Sequence, residues 1–108
     1  CLAEMDAASL AGHFHNTYGM AIANIYQSLE QGIRVFDSSI AGLGGCPYAK
    51  GASGNVSTED LYYLLSNMGY DTGIDLDALM IASQNISQVL QRTNPSNYAN
   101  AYWQKRCA

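Results

Sequence analysis

Two short apolar segments flank an amphipathic helical pattern in the first half of the chain, and this alternation most constrains the fold. Ser9 to His15 and Ile33 to Ile40 have the lengths and residue types of β-strands. The helix between them begins after a cap at Asn16 or Thr17 and ends at Gly32. Its apolar positions are Tyr18, Ile22, Ile25, Tyr26 and Leu29. Strand, crossover helix and strand in this order predict a parallel sheet.

Two more helices are predicted in the second half of the chain. Ser57 or Thr58, followed by two acidic residues, is typical of a helix start, and Asp75 begins a further helix that stops before Pro95. Their apolar stripes are Leu61, Leu64, Leu65 and Met68 in the first, and Leu76, Leu79, Met80, Ile86, Val89 and Leu90 in the second. The aromatic residues beyond Pro95 are interpreted as tail packing or an interface; they are Tyr98, Tyr102 and Trp103.

The predicted order of strand, helix, strand, loop, helix and helix defines an α/β fold class. Two strands leave unpaired edges, so an eight-stranded α/β barrel and a doubly wound sheet both remain open as the parent architecture. The 108 residues are enough for one domain. Charged residues make up only 13% of them, against the usual ~25%. This low charge indicates a surface that faces other protein.

Composition also excludes several classes of partner. The net charge of −4 excludes a nucleic-acid binder that works through bulk positive charge. The sequence has no apolar run of roughly 18 residues, so we expect no membrane-spanning helix. Cys1, Cys46 and Cys107 lie far apart and form no CxxC pair, which indicates reduced, intracellular thiols. The chain opens at Cys1 rather than Met and shows no signal pattern, so we expect that its start is missing or was removed.

The chain has two histidines, His13 and His15, and they stand at the end of the first predicted strand. Residues i and i+2 of a strand share one face, so both imidazoles can converge on one metal ion. Active sites of α/β barrels are built at the carboxyl ends of strands. The alternative is a hydrogen-bonded pair without a metal. Asp37, at the end of the second strand, either supports such a site or is a structural hydrogen-bonding group.

A glycine-rich segment, Ala41 to Asn55, follows the second strand. Cys46 is flanked by glycines, so its thiol is predicted to lie on a mobile loop, able to transfer a proton or act as a nucleophile. A chance surface cysteine is the alternative. The amide oxygen of Asn55 suits a hard divalent cation, and the alternative is a turn residue. The sequence contains neither a Walker-type phosphate loop nor a Gly-x-Ser-x-Gly elbow.

The run from His13 to Leu61, above all SIAGLGGCPYAKGASGN over Ser39 to Asn55, resembles the 3-hydroxy-3-methylglutaryl-CoA lyase family. The resemblance continues more weakly through Asp75 to Arg92. Isopropylmalate and homocitrate synthases share the His-x-His-Asn start but lack the Gly-Gly-Cys-Pro-Tyr loop. The resemblance implies the carboxyl-terminal fragment, roughly the last three β/α units, of a (β/α)₈ TIM barrel, with residues 1–108 as one partial catalytic domain.

The resemblance further implies cleavage of 3-hydroxy-3-methylglutaryl-CoA to acetyl-CoA and acetoacetate with a divalent cation, Mg²⁺ or Mn²⁺. His13, His15 and Asn55 are the implied metal ligands. Cys46 and His13 are the implied catalytic residues, with the Cys46 thiol assisting proton transfer. An acyl-CoA substrate, a homo-oligomer and a cytoplasmic location, or the mitochondrial matrix in a eukaryote, are implied as well, with no nucleic-acid or membrane partner.

The sequence departs from the family pattern at two points. Asn16 stands where the family most often has Asp. The family's early-strand Arg-Asp pair, which supplies another ligand and a catalytic arginine, has no counterpart, so we expect this chain alone to be inactive without the amino-terminal half of the barrel. Two alternatives remain: an inactive half-barrel that serves as a structural or interaction unit, and a related acyl-CoA or 2-oxo-acid Claisen-type enzyme.

Overall fold

The computed structural model describes residues 6–44 and 54–107, and it is an α/β arrangement. Within this part of the chain the strands are β1 (Ala11–His13) and β2 (Val35–Asp37), and the α-helices are α1 (Ala21–Glu30), α2 (Thr58–Asn67), α3 (Leu76–Val89) and α4 (Asn97–Cys107). Short 3₁₀ turns occur at Ala7–Ser9, Thr17–Gly19 and Ile40–Gly42. None of the helices in the described ranges has the length and apolarity needed to cross a membrane.

The two strands pair in parallel, as predicted from the strand–helix–strand order. The register aligns Ala11 with Val35, Gly12 with Phe36 and His13 with Asp37. Both strands are shorter than predicted, with three residues each. The first begins late because Ala7–Ser9 forms a 3₁₀ turn, in which the Asp6 carboxylate accepts a hydrogen bond from Ala8 N. The second ends early because the chain turns again at Ile40–Gly42.

Residues 54–57 lie across the carboxyl ends of both strands. Asn55 forms an antiparallel bridge with His15, and Ser57 forms a parallel bridge with Ser39. The backbone N–H of Ser39 donates to Val56 O at 3.1 Å, which fixes this crossing segment against the end of β2. The segment then leads directly into α2, so the start of α2 is held close to the strand ends.

One face of the sheet packs against the helices and builds the hydrophobic core. The fully or largely buried members of this core are Ala21, Ile25, Leu29, Val56 and Leu61. Phe14 and Phe36 pack against it from the strands. Gly12 is buried on the same face, where a Cβ would lie 2.7 Å from the Phe36 ring. A glycine is therefore needed at Gly12 for the two aromatic rings to reach the core.

The predicted helix starts at Ser57 and Asp75 are confirmed. Ser57 Oγ accepts a hydrogen bond from Asp60 N at 3.2 Å, and Asp75 Oδ1 accepts one from Ala78 N at 3.2 Å. Both side chains satisfy amides that the first turn of a helix leaves without an intrahelical partner. The predicted apolar stripe of α2 wrongly includes Met68. This residue is the C-cap of the helix and is 37% exposed.

The placement of Tyr18 in the first helix is wrong. Tyr18 lies in the turn Thr17–Gly19 with φ at +60° and is 95% exposed. The Asn16 side chain accepts a hydrogen bond from Ala21 N at 3.2 Å, so the helix begins beyond this turn. The periodic spacing of Tyr18 with Ile22 therefore does not reflect a shared helical face.

Helix α4 was not predicted, since its sequence has no apolar stripe. Polar side chains hold it instead. The Asp60 carboxylate accepts hydrogen bonds from Ser96 Oγ at 2.8 Å and from Tyr98 N at 3.0 Å. Ser96 Oγ in turn accepts from Ala99 N at 3.0 Å, which caps the first turn of the helix. Tyr98, Tyr102 and Trp103, interpreted from the sequence as tail packing or an interface, lie on this helix.

Candidate active site

His13 and His15 lie at the carboxyl end of β1, on the face of the sheet opposite the core. Their ring centroids are 5.4 Å apart, with the planes at 73°. The Asp37 carboxylate, next to His13 in the register, lies 3.5 Å from His13 Nδ1. A carboxylate at this position favours a proton on Nδ1 and leaves Nε2 as the nitrogen that can bind a cation or accept a proton. The structure thus places Asp37 beside His13.

Asn55 is brought to the same place by its pairing with His15. Val56 N donates to Phe14 O and Asn16 N donates to Gly54 O, each at 3.0 Å, so these bonds flank the His15–Asn55 pair. Such a non-hydrogen-bonded antiparallel pair has its two side chains on one face, with Cβ atoms ~4.5–5.5 Å apart. The two side chains therefore share the exposed face of the sheet.

The amide group of Asn55 has a defined orientation. Its Nδ2 donates to Leu43 O at 3.0 Å, and its backbone N donates to Gly44 O at 2.9 Å. Its Oδ1 is buried and accepts no hydrogen bond from the described residues. A buried carbonyl oxygen without a partner costs free energy, so this atom is a natural ligand for a cation.

Glycines permit the close approach of the two segments that hold Asn55. A Cβ on Gly44 would lie 2.8 Å from Asn55 Nδ2, and Gly44 has φ at +87°. A Cβ on Gly54 would collide with the carbonyl oxygen of Gly42. Gly44 and Gly54, which belong to the glycine-rich segment that the sequence associates with loop mobility, are required here for backbone packing around Asn55.

These residues fit a divalent cation that accepts mixed nitrogen and oxygen ligands. Two imidazoles and one amide oxygen are a ligand set suited to borderline and hard first-row cations such as Mn²⁺. In residues 6–44 and 54–107, no group of three or more His, Cys, Asp or Glu side chains is arranged to hold a metal ion. An acidic side chain that completes such a metal site would therefore have to come from outside these ranges.

A polar cavity of about 320 Å³ adjoins Asn55. Its lining residues are Asn16, Gly42, Gly54, Asn55, Ser57, Asp60, Arg92 and Pro95. Arg92, which follows α3 in the chain, thus shares a cavity with the candidate ligand Asn55. A guanidinium group at this position offers several hydrogen-bond donors to an anionic ligand.

Cys46 lies outside the described residues, so its predicted role as a catalytic thiol is not addressed by the geometry. Glu59, in contrast, is predicted only as an acid at a helix start, yet its side chain is completely buried. An acidic residue in the first turn of a helix is usually exposed, and nothing in the sequence around Glu59 distinguishes it from that common case.

Comparison with known proteins yields a consistent group of relatives. The model of the HMGL-like family matches residues 2–86. The hydroxymethylglutaryl-CoA lyase of Pseudomonas mevalonii is 58% identical over 89% of this chain and 32% of its own length. A Pseudomonas aeruginosa protein named 3-hydroxy-3-isohexenylglutaryl-CoA/hydroxymethylglutaryl-CoA lyase is 59% identical over 91% of this chain and 33% of its own length. The chain thus spans about a third of the length of these curated relatives.

Solved structures agree with this grouping. A crystal structure of hydroxymethylglutaryl-CoA lyase from Pseudomonas aeruginosa superimposes with a TM-score of 0.89 at 57% identity, over 95% of this chain and 34% of that one. A lyase from Acinetobacter baumannii, in complex with coenzyme A and 3-methylmalate, superimposes with a TM-score of 0.85 at 44% identity, over 93% of this chain and 33% of that one. The α/β fold described above therefore corresponds to about a third of each of these structures.

Proposed function

The chain belongs to the HMGL-like family, and on this premise we propose that the protein containing it cleaves 3-hydroxy-3-methylglutaryl-CoA to acetyl-CoA and acetoacetate. The observation that carries the proposal is the grouping of His13, His15 and Asn55 on one face of the sheet, with Asn55 Oδ1 buried and accepting no hydrogen bond from the described residues. Asn55 would be the least replaceable of the three, because its amide is held by Leu43 O and its oxygen accepts no hydrogen bond from residues 6–44 and 54–107.

His13, His15 and Asn55 would hold Mg²⁺ or Mn²⁺. When bound, the cation would polarise the hydroxyl and carbonyl oxygens of the substrate and so favour loss of the hydroxyl proton. Asp37 would orient the His13 ring from the Nδ1 side. Because Nε2 of His13 can either bind a cation or accept the substrate's hydroxyl proton, its roles as ligand and as catalytic base exclude one another at any instant.

The carbon–carbon bond would break as the substrate's hydroxyl oxygen becomes the ketone oxygen of acetoacetate. The electron pair of this bond passes to the acetyl-CoA carbon, which must then receive a proton. The Cys46 thiol is the proposed donor of that proton. The described residues on either side of Cys46 lie close together, because Leu43 O and Gly44 O accept hydrogen bonds from Asn55.

The chain is proposed to form roughly the last three β/α units of a TIM barrel, with the rest supplied by the remainder of the protein. The parallel β1–β2 pair with its crossover helix agrees with this arrangement. The remainder would provide the Arg-Asp pair that these 108 residues lack. Arg92, in the cavity beside Asn55, is a candidate contact for the anionic parts of an acyl-CoA.

The test is acetoacetate release by the full-length protein, assayed with Mn²⁺ or Mg²⁺ and with a chelator, beside the 108-residue chain alone. We expect metal-dependent release by the full-length protein and none by the chain. 3-Hydroxy-3-isohexenylglutaryl-CoA serves as a second substrate, because a relative's name includes it. If neither substrate is cleaved with either cation, the lyase proposal is wrong, and a structural or interaction unit becomes the better explanation.

Cys46→Ser tests the proposed proton donor in the same assay. A hydroxyl is a much weaker acid than a thiol, so we expect a fall in kcat of about 100-fold with little change in Mn²⁺ affinity. Cys107→Ser, on α4, is the matched cysteine control and should keep the parent rate. An unchanged rate in Cys46→Ser would remove the thiol from the reaction.

A further inference from the structure

We propose that Glu59 is a positioning residue for Asn55 and that it acts through the backbone of Ala41. This inference rests on the proposed metal site and extends it to a residue that does not touch the ligands. Glu59 lies four positions after Asn55, at the start of α2. The same short stretch of chain thus carries the candidate ligand and the group that fixes its surroundings.

The Glu59 carboxylate is completely buried and is held by hydrogen bonds from three parts of the chain. Ala41 N donates to both of its oxygens, at 3.0 and 3.1 Å. Ser83 Oγ, on α3, donates to Oε2 at 2.6 Å, and Asn94 Nδ2 donates to the same oxygen at 3.3 Å. The carboxylate therefore connects the turn at Ala41 with α3 and with the segment before α4.

Ala41 needs such a partner because of its backbone conformation. Its φ is +54°, in the left-handed region that an L-residue other than glycine seldom adopts. Both carboxylate oxygens of Glu59 point at its N–H, which otherwise would be buried without an acceptor. The contact with Glu59 thus offsets the unfavourable conformation and keeps the turn in one shape.

The shape of this turn decides the orientation of Asn55. Leu43 and Gly44, directly after the turn, supply the two carbonyl oxygens to which Asn55 donates. The bond from Nδ2 to Leu43 O fixes which end of the amide is the donor and leaves Oδ1 without a hydrogen-bond donor among the described residues. If the turn shifts, this bond weakens, and the amide can rotate to present its nitrogen, which does not bind a cation.

Glu59→Gln is the test variant, measured in the full-length protein. Glutamine has nearly the same size, but one acceptor oxygen becomes an amino group that opposes the N–H of Ala41. Ser83→Ala is the matched control, since it removes the 2.6 Å bond to the same carboxylate and leaves the contact with Ala41 intact. If Glu59→Gln does not fold, Glu59→Asp replaces it, because the shorter side chain cannot reach Ala41 N from the same backbone position.

Three quantities are compared in the two variants: melting temperature, Mn²⁺ affinity by calorimetry, and the side-chain ¹⁵N signals of Asn55, assigned with Asn55→Ala. We expect Glu59→Gln to weaken Mn²⁺ binding by about 10-fold, as for groups that orient metal ligands, and to move the Asn55 signals. Ser83→Ala should change Mn²⁺ affinity by less than about 2-fold at a similar loss of melting temperature. Unmoved Asn55 signals in Glu59→Gln, or equal Mn²⁺ affinity in both variants, would overturn the inference.

Failure of this inference is distinguishable from failure of the lyase proposal. If the parent protein binds Mn²⁺ but releases no acetoacetate, the lyase proposal fails, while the Asn55 signals still decide the role of Glu59. If the parent is active and Glu59→Gln matches it in Mn²⁺ affinity and in the Asn55 signals, only the positioning role is wrong.

Discussion

The two faces of the β1–β2 sheet differ sharply although they are built from alternating residues of the same strands. One face presents Phe14 and Phe36 to α1 and α2 and is part of the hydrophobic core. The other presents His13 and Asp37, whose side chains are 56% and 68% exposed. Val35, beside them on this face, is also 56% exposed.

This difference separates residues that stabilise the chain from residues that are available for chemistry. On the core face, apolar area is removed from water and favours folding. On the other face, two histidines, a carboxylate and the Asn55 amide lie near one another. Substitutions on the two faces should therefore affect different measurements, metal binding on one face and stability on the other.

The largest effect is expected on the face of the sheet that carries His13 and Asp37, called the polar face below. In the full-length protein, His15→Ala should lower acetoacetate release by about 1000-fold and weaken Mn²⁺ binding by about 100-fold, since it removes a proposed ligand. The melting temperature without metal should stay close to that of the parent, because the side chain is exposed. Calorimetric titration with Mn²⁺ and a thermal melt provide the two readouts.

His13→Ala, assayed alongside, separates the two roles proposed for His13. Weakened Mn²⁺ binding indicates a ligand, whereas normal binding with lost activity indicates a base. Gln27→Ala, exposed on α1, is the neutral control. Parent-like Mn²⁺ affinity in both histidine variants would show that the polar face holds no metal.

The opposite pattern is expected on the core face. Ile25 is fully buried on α1 beneath the sheet, so Ile25→Ala leaves a cavity and should lower the free energy of unfolding by about 3 kcal/mol. Mn²⁺ affinity, measured well below the melting temperature, should remain within about 2-fold of the parent. Denaturant unfolding followed by circular dichroism measures the first quantity. A large loss of Mn²⁺ affinity in folded Ile25→Ala would show that the two faces are coupled.

A smaller effect is expected from Asp37, which supports the site without being a proposed ligand. Asp37→Asn keeps the size of the side chain but removes the charge beside His13 Nδ1. We expect Mn²⁺ affinity to fall by about 10-fold, the range for a group that orients a metal-binding histidine. Stability should hardly change, because exposed ion pairs contribute little. Equal Mn²⁺ affinity in parent and variant would limit the site to the histidines and Asn55.

The smallest effect is expected from an exposed polar cluster elsewhere, on α3 and α4. Hydrogen bonds from Tyr102 and then Arg106 hold the pKa of Asp77 below its usual value of 3.8. A lowered pKa means that the carboxylate stabilises the fold above pH ~3.8 and that this contribution disappears as the pH falls through the lowered value. Asp77→Asn should thus melt slightly below the parent at pH 7 and level with it in acid.

Thermal melts across this pH range check the Asp77 prediction, and acetoacetate release should be unaffected. A loss of activity in Asp77→Asn would contradict this prediction. It would show that the exposed cluster on α3 and α4 contributes to the reaction.

Much of the fold could be predicted from local sequence signals. The caps at Ser57 and Asp75 satisfy helix amides through their own side chains, so a few residues suffice to identify them. The parallel pairing followed from the order of strand and helix. Helix α4 could not be found in this way, because Asp60 and Ser96 hold it through contacts between distant parts of the chain.

The candidate site was predicted in part. His13 and His15 are close in sequence, so strand geometry alone places them together. The adjacency of Asn55 to His15 depends on a crossing segment, and only the resemblance to known lyases indicated it. Burial of Glu59 could not be predicted, because it depends on Ala41 adopting a left-handed conformation and on Ser83 facing the carboxylate from α3.

The His15–Asn55 pairing has a consequence for how the chain responds to its surroundings. The pair joins segments that lie far apart in sequence, and an unfolded chain would not keep them together. A cation held by both segments would therefore bind the folded state and not the unfolded one, so each tenfold rise in free cation above its dissociation constant would add ~1.4 kcal/mol of stability. By this linkage, cellular supply of the metal would govern how long the folded protein persists as well as how fast it works.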